Sequence, residues 1–383
     1  MRTKPGPTEH PRYRVIPRAS KKLAIFFSGT GVGDNFFHWW NMGQRIDASV
    51  ILVNNGRNEW YMNGIPGLGD SYGATVEAFR NWADALGATE IYTCGGSMGG
   101  SGALVYGVPL GARVLGLGFE THLNFPWGHR QRLMARDFVP EFTDFRPLVA
   151  KARQRIVVYA GESEPVDLAS AAHIADLPMV ETVTLRGVGH GPPSHLRNRG
   201  KLDPLVDALL NDGPLPQVSN AGAGLRPGFP DALYAAFCAS KEKRWGDLEG
   251  LARKAVEIYP ASEYATMLLG RALLQQQKAK LAIPVLREAI SLYPKSRDAR
   301  LLLASATEKT GDLVGAVAIH KDILAQWPSF GLSYYGLGRI YAGKKSLRAA
   351  IKCLERAVEH DPYRATFRNK LEETRALANA AKA

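Results

Sequence analysis

The chain has 383 residues, 45% hydrophobic and 22% charged, with 39 Gly and 23 Pro. That length suits two or three domains, and the apolar fraction excludes a disordered or fibrous chain. No apolar run approaches the roughly 18–20 residues that span a bilayer, and three scattered cysteines, Cys94, Cys238 and Cys353, form neither a disulfide framework nor a metal spacing. Residues 1–22 are basic and Pro-rich, without the apolar stretch and cleavage site of a signal peptide, and are read as an N-terminal extension. A reducing, cytoplasmic location is expected, with no cofactor and no metal.

The formal net charge of +12 is unevenly spread. Residues 1–220 hold 22 Lys and Arg against 20 Asp and Glu, whereas residues 221–383 hold 26 against 16. The second half could draw an anionic partner, although solvated Lys and Arg on exposed helix faces are the favoured reading of such an excess.

In the first half, nearly continuous apolar runs at 23–27, 49–53, 91–94, 113–117, 156–160 and 180–185 predict strands covered on both faces. Between them, Val76, Phe79, Ala83 and Leu86 share one helical stripe, and 204–210 closes the series as a helix. This alternation predicts an α/β domain over 23–212 with a mostly parallel sheet. Residues 213–226, rich in Pro, Gly and Asn, are expected to be a linker.

Beyond 226 every apolar pattern has helical period. Pro260, Pro294, Pro328 and Pro362 recur every 34 residues, in phase with Ala282, Ala316 and Ala350, and with Gly270, Ala304 and Gly338. A helix–turn–helix unit needs small residues where its helices cross and a proline to stop the second helix. The pattern resembles the tetratricopeptide repeat, which implies an all-α solenoid over 227–383. Its parts would be a degenerate first repeat at 227–260, repeats at 261–294, 295–328 and 329–362, and a capping helix at 363–383.

The motif that carries chemistry is Gly95-Gly96-Ser97-Met98-Gly99-Gly100, placed between a strand and a helix-compatible stretch. G-x-S-x-G in that setting is a nucleophile elbow, in which a strained turn lifts the serine hydroxyl above the sheet. Ser97 then needs a base, and His190, in the loop Gly187-Val188-Gly189-His190-Gly191 after the last strand, is the candidate, with His195 its nearest rival. The acid is expected in Gly161-Glu162-Ser163-Glu164-Pro165-Val166-Asp167; Glu164 is favoured there, with Glu162 and Asp167 within reach of the same loop. The backbone N–H groups of Met98 and Thr30, with Gly31 as second choice to Thr30, would form the oxyanion hole. A dinucleotide loop at Gly29, Gly31 and Gly33 is the weaker reading, because Asp34 stands where the third glycine of that pattern belongs.

Together these segments resemble the α/β-hydrolase superfamily over about residues 20–212. The resemblance implies acyl transfer through an acyl-Ser97 intermediate, by a carboxylesterase or O-acyltransferase. The short loop motifs also resemble hydrolase-like proteins of bacterial surface-polysaccharide assembly. Aromatic residues after two strands, Trp39 and Trp60, with Arg57, could bind a hydroxylated or acylated glycan; the competing reading has the tryptophans packing under their loops. The other functional readings are an idle hydrolase fold serving as an interaction scaffold, and a peptidase or thioesterase with the same triad. A protein partner or anionic polymer is expected on the repeats, and no specific nucleic acid.

Overall fold

The computed structural model describes residues 6–134 and 138–380. The first five residues of the expected N-terminal extension and the last three of the expected capping helix lie outside this range. The chain divides into two compact units, Met1–Lys241 and Glu242–Ala383.

The first unit is built on an eight-stranded sheet. Its strands are β1 (Glu9–His10), β2 (Tyr13–Ile16), β3 (Lys22–Phe27), β4 (Ser49–Val53), β5 (Glu90–Gly96), β6 (Arg113–Leu117), β7 (Ile156–Gly161) and β8 (Val180–Leu185). They lie in the order β1-β2-β4-β3-β5-β6-β7-β8. All pairings from β4 to β8 are parallel, so the apolar runs are covered on both faces. Alternation along β3 shows how: Leu23, Ile25 and Phe27 enter one core with Tyr61, Phe79 and Tyr106, while Ala24 and Phe26 enter the other with Trp39, Leu52 and Leu205.

Residues 9–16 are therefore not all extension. β2 pairs antiparallel with β4, Tyr13 opposite Val53, and buries Tyr13 and Val15. The alternation that marks this strand is only four residues long and sits among prolines, which hides it from periodicity.

The helices of this unit are α1 (Trp40–Arg45), α2 (Tyr72–Ala85), α3 (Met98–Gly107), α4 (His129–Leu133), α5 (Arg146–Val149), α6 (Pro165–Ile174), α7 (Pro192–Asn198), α8 (Leu202–Leu210) and α9 (Phe229–Lys241). α2 starts where Ser71 accepts a hydrogen bond from the Ala74 N–H. Residues 213–226 pack on the sheet rather than linking two bodies: the Arg186 N–H donates to the Asn220 carbonyl at 2.9 Å. The Gly224 N–H likewise donates to Glu162 at 2.7 Å. α9 packs on α6, and the Tyr234 hydroxyl donates to the Pro126 carbonyl at 2.8 Å. The unit boundary thus follows Lys241, one helix later than the composition of 213–226 suggests.

The second unit holds α10 (Trp245–Ile258), α11 (Glu263–Gln275), α12 (Ala279–Leu292), α13 (Arg297–Lys309), α14 (Leu313–Gln326), α15 (Gly331–Gly343), α16 (Leu347–His360) and α17 (Ala365–Ala380). Each helix packs on the next. The small residues fall where expected. A Cβ on Gly270 would lie 2.5 Å from Leu286, and one on Gly338 2.6 Å from Leu354. Ala282, Ala304, Ala316 and Ala350 are fully buried. Ser262 and Ser296 cap α11 and α13. No described helix is long and apolar enough to cross a membrane.

Candidate active site

The elbow forms because its glycines leave no alternative. A Cβ on Gly95 would lie 2.0 Å from the Gly99 carbonyl oxygen, and one on Gly99 2.2 Å from that of Phe27. Between β5 and α3, Ser97 takes φ 55° and ψ −134°, a strained conformation for a residue with a side chain. Its N–H is held by the carbonyls of Leu117 and Gly118 at 3.1 and 3.0 Å. The hydroxyl is thereby aimed away from the sheet.

Ser97 Oγ lies 2.8 Å from His190 Nε2, and His190 Nδ1 lies 2.8 Å from Asp167 Oδ2. Gly161 at the end of β7 allows this approach, since a Cβ there would sit 2.2 Å from the Gly189 carbonyl oxygen. The carboxylate that meets the imidazole is Asp167, not Glu164. Glu164 is the extended residue just before α6, and its carboxylate lies 3.8 Å from His129 Nε2. Asp167 sits in the first turn of that helix and is buried beneath His190. The acid thus lies one helical turn beyond the position expected directly after the strand. Glu162 is structural instead, accepting from the Thr184 hydroxyl and the Gly224 N–H, both at 2.7 Å. His195 bonds Asn220 and Arg199 instead of Ser97.

The electrostatics separate the two carboxyl groups. Burial works against an ionised Asp167, but the charge of His190 and contacts from His129 and His190 outweigh it, and its pKa falls. Glu164 is pushed the other way, by burial and by the charge of Asp167. Burial favours neutral His190, yet Asp167, with help from Glu164 and Glu120, raises its pKa above the ordinary value. A pair driven apart in this manner marks which carboxylate is the charged partner.

Two further residues belong to this cluster. His129 stacks on His190 with ring centroids 3.8 Å apart. Arg132, which can only donate, bonds His129 Nδ1 at 2.7 Å, so the neutral ring carries its proton on Nε2. That atom faces Asp167 Oδ1 at 3.6 Å. Glu120 is buried, accepts from the Arg130 N–H at 3.0 Å, and is raised by burial to about 7. Neither residue has a sequence signal: Glu120 follows β6 in irregular chain and His129 opens the five-residue helix α4, too short to show a periodicity. His129, Asp167 and His190 bring ligand atoms within 4.8 Å of one another. Both His190 nitrogens are already engaged, one by Ser97 and the other by Asp167.

A cavity of about 340 Å³ opens beside Ser97 and His190, walled by Thr30, His38, Trp39, Ser194 and Arg197 among others. Met98 opens α3, so its N–H is among the unpaired donors of that helix end. In the loop after β3, the Gly29 N–H donates to His38 Nδ1 at 3.0 Å and the Gly31 N–H to Asn58 at 3.4 Å. Gly29 and Thr30 both line the cavity, and of these two it is the Gly29 N–H that is engaged with His38. Of the aromatic candidates, Trp39 borders the cavity but is nearly buried, its Nε1 donating to the Phe27 carbonyl at 3.1 Å. Trp60 is 1% exposed inside the core and does not line the cavity. Arg57 is exposed, 3.6 Å from Glu59, and does not line it either. Trp60 is thus packing in the core, whereas Trp39, nearly buried, is part of the cavity wall.

Two arginines of the repeats pair with carboxylates of the same unit. Arg300 pairs with Asp322 at 2.7 Å and Arg339 with Glu308 at 2.6 Å.

Comparison with known proteins places family matches within the second unit. Residues 267–329 and 332–363 each match a tetratricopeptide repeat family model. Among solved structures the chain is similar to MamA (residue 41 to the end) from Desulfovibrio magneticus RS-1. The two share 17% identity over 40% of this chain and 87% of that one, with a TM-score of 0.36. It is also similar to YrrB, described as a TPR protein with an unusual peptide-binding site, at 20% identity over 39% and 75% and a TM-score of 0.34. A third is a thermophilic TPR protein of Thermus thermophilus, at 16% identity over 47% and 94% and a TM-score of 0.36. No curated protein matches the chain. The 34-residue units of residues 267–363 are tetratricopeptide repeats.

Proposed function

We propose that the first unit is a serine hydrolase of the α/β-hydrolase type, acting on a carboxylic ester or transferring its acyl group. The observation that carries this reading is the continuous chain Ser97–His190–Asp167 on a strained strand-to-helix turn. In the reaction, Ser97 Oγ attacks the ester carbonyl while its proton passes to His190 Nε2. Asp167 holds the tautomer and stabilises the imidazolium. The developing oxyanion is met by the N–H groups of Met98 and Thr30. The alcohol then leaves with the proton from His190, and water, or another hydroxyl, repeats the sequence to release the acyl group. The parallel sheet and its order support the same fold type. An acylated glycan, as in polysaccharide assembly, is one substrate class within this reading.

The repeats would serve as a docking module for a protein partner, the usual role of such solenoids with their concave face. A second reading keeps only this role, which the family matches to the repeats support, and makes the first unit an idle scaffold. Turnover of 4-nitrophenyl acetate decides between them. The hydrolase reading expects activity in the wild type, losses of about 10³–10⁶ in kcat in Ser97→Ala and in His190→Ala, and little further loss in the double variant. Equal rates in all four proteins would leave the scaffold.

A further inference from the structure

The cavity beside Ser97 has a charge bias. Arg197 and Ser194 lie on one face of α7, three residues apart, and both border the cavity together with His38. No carboxylate lines it among the described residues, and Arg197 forms no ion pair there, while its neighbour Arg199 is bonded to His195. Asp167 is shielded beneath His190 and fully buried. His38 accepts the Gly29 N–H on Nδ1, so its remaining ring proton sits on Nε2 as a donor and presents no negative group. Burial and the charge of Arg197 both keep this ring neutral. α7 is fixed against the elbow, since a Cβ on Gly96 would sit 2.7 Å from Pro193. Arg197, an exposed side chain, is therefore rooted beside the elbow by the same segment that follows His190.

We propose that this cavity takes small esters bearing a carboxylate, with Arg197 as the group that binds it. A guanidinium offers paired N–H donors to a carboxylate and discriminates against an uncharged group of similar size. This inference rests on the hydrolase reading for its reaction but not for its binding step.

Two matched pairs test it: 4-acetoxybenzoate against its methyl ester, and phenyl hydrogen glutarate against phenyl butyrate. In at least one pair the ratio of kcat/KM, anionic over neutral, should fall about tenfold in Arg197→Ala and further in Arg197→Glu. Calorimetric binding to Ser97→Ala, which needs no turnover, should favour the anionic member of that pair and lose the preference when Arg197→Ala is added. Ratios within twofold of wild type in both pairs, with no binding preference, overturn the proposal. Absence of turnover with the binding preference intact would instead overturn the hydrolase reading and leave the carboxylate site standing.

Discussion

Replacing Asp167 by Asn is the most informative change at the site. The side chain is fully buried and its Oδ2 lies 2.8 Å from His190 Nδ1. An amide of the same shape fills the same space, but an amide nitrogen there donates to Nδ1. The imidazole proton must then move to Nε2, where it can no longer accept from Ser97. The variant also removes the charge that holds the pKa of His190 up. A wrong tautomer with the geometry kept lowers kcat on the order of 10⁴, or about 5.5 kcal/mol of barrier. Glu164→Gln removes a carboxyl already pushed toward its neutral form, so a loss of about tenfold or less is expected. The assay is 4-nitrophenyl acetate hydrolysis with urea denaturation of each variant as control. A folded Glu164→Gln that is more impaired than Asp167→Asn would refute the assignment of the acid.

Since His190 must be neutral to act as base and its pKa is raised, kcat/KM should rise with pH through a midpoint above the ordinary histidine value; a flat profile from pH 5 to 9 would contradict it. His129→Leu should cost about tenfold in kcat and shift that midpoint, because it removes the donor facing Asp167 Oδ1; an unchanged profile places His129 outside the machinery. Glu120, with a folded pKa near 7 against about 4.5 unfolded, destabilises the fold increasingly as pH rises between those values. Glu120→Gln should therefore stabilise the protein by about 3 kcal/mol at pH 8.5 and much less at pH 5, read from urea midpoints. Gly99→Ala drives a Cβ into the Phe27 carbonyl and should cost about 3 kcal/mol or more, whereas a neutral result would mean the elbow relaxes freely.

What the sequence discloses depends on how local the physics is. The repeats of residues 267–363 are legible, because a Pro every 34 residues and buried Gly or Ala at the crossings act within one helix pair, whereas the first helix of the expected repeat at 227–260 packs on α6 instead. The elbow is legible for the same reason: Gly95 and Gly99 are demanded by backbone contacts inside six residues and the adjoining strand. Ser97 and His190 follow from motif and chain order. The acid is not fixed that way. Glu164 and Asp167 are one helical turn apart, and only the tertiary approach of the 187–191 loop selects between them. The short strand Tyr13–Ile16 and the stacked His129 escape for the same reason, since pairing and stacking partners are distant in sequence. Trp60 shows the reverse error, an aromatic residue near a strand end that suits a binding platform but fills the core.

Covalent labelling tests the central claim most directly. A fluorophosphonate reacts with a serine only when a neighbouring base withdraws its proton and an oxyanion site receives the phosphoryl oxygen. Incubated with such a probe at pH 8, the wild-type protein should gain one equivalent of label, located on the peptide containing Ser97. Ser97→Ala should gain none, and Asp167→Asn should react far more slowly. A folded wild-type protein that stays unlabelled, or label that persists in Ser97→Ala, would contradict the proposed nucleophile.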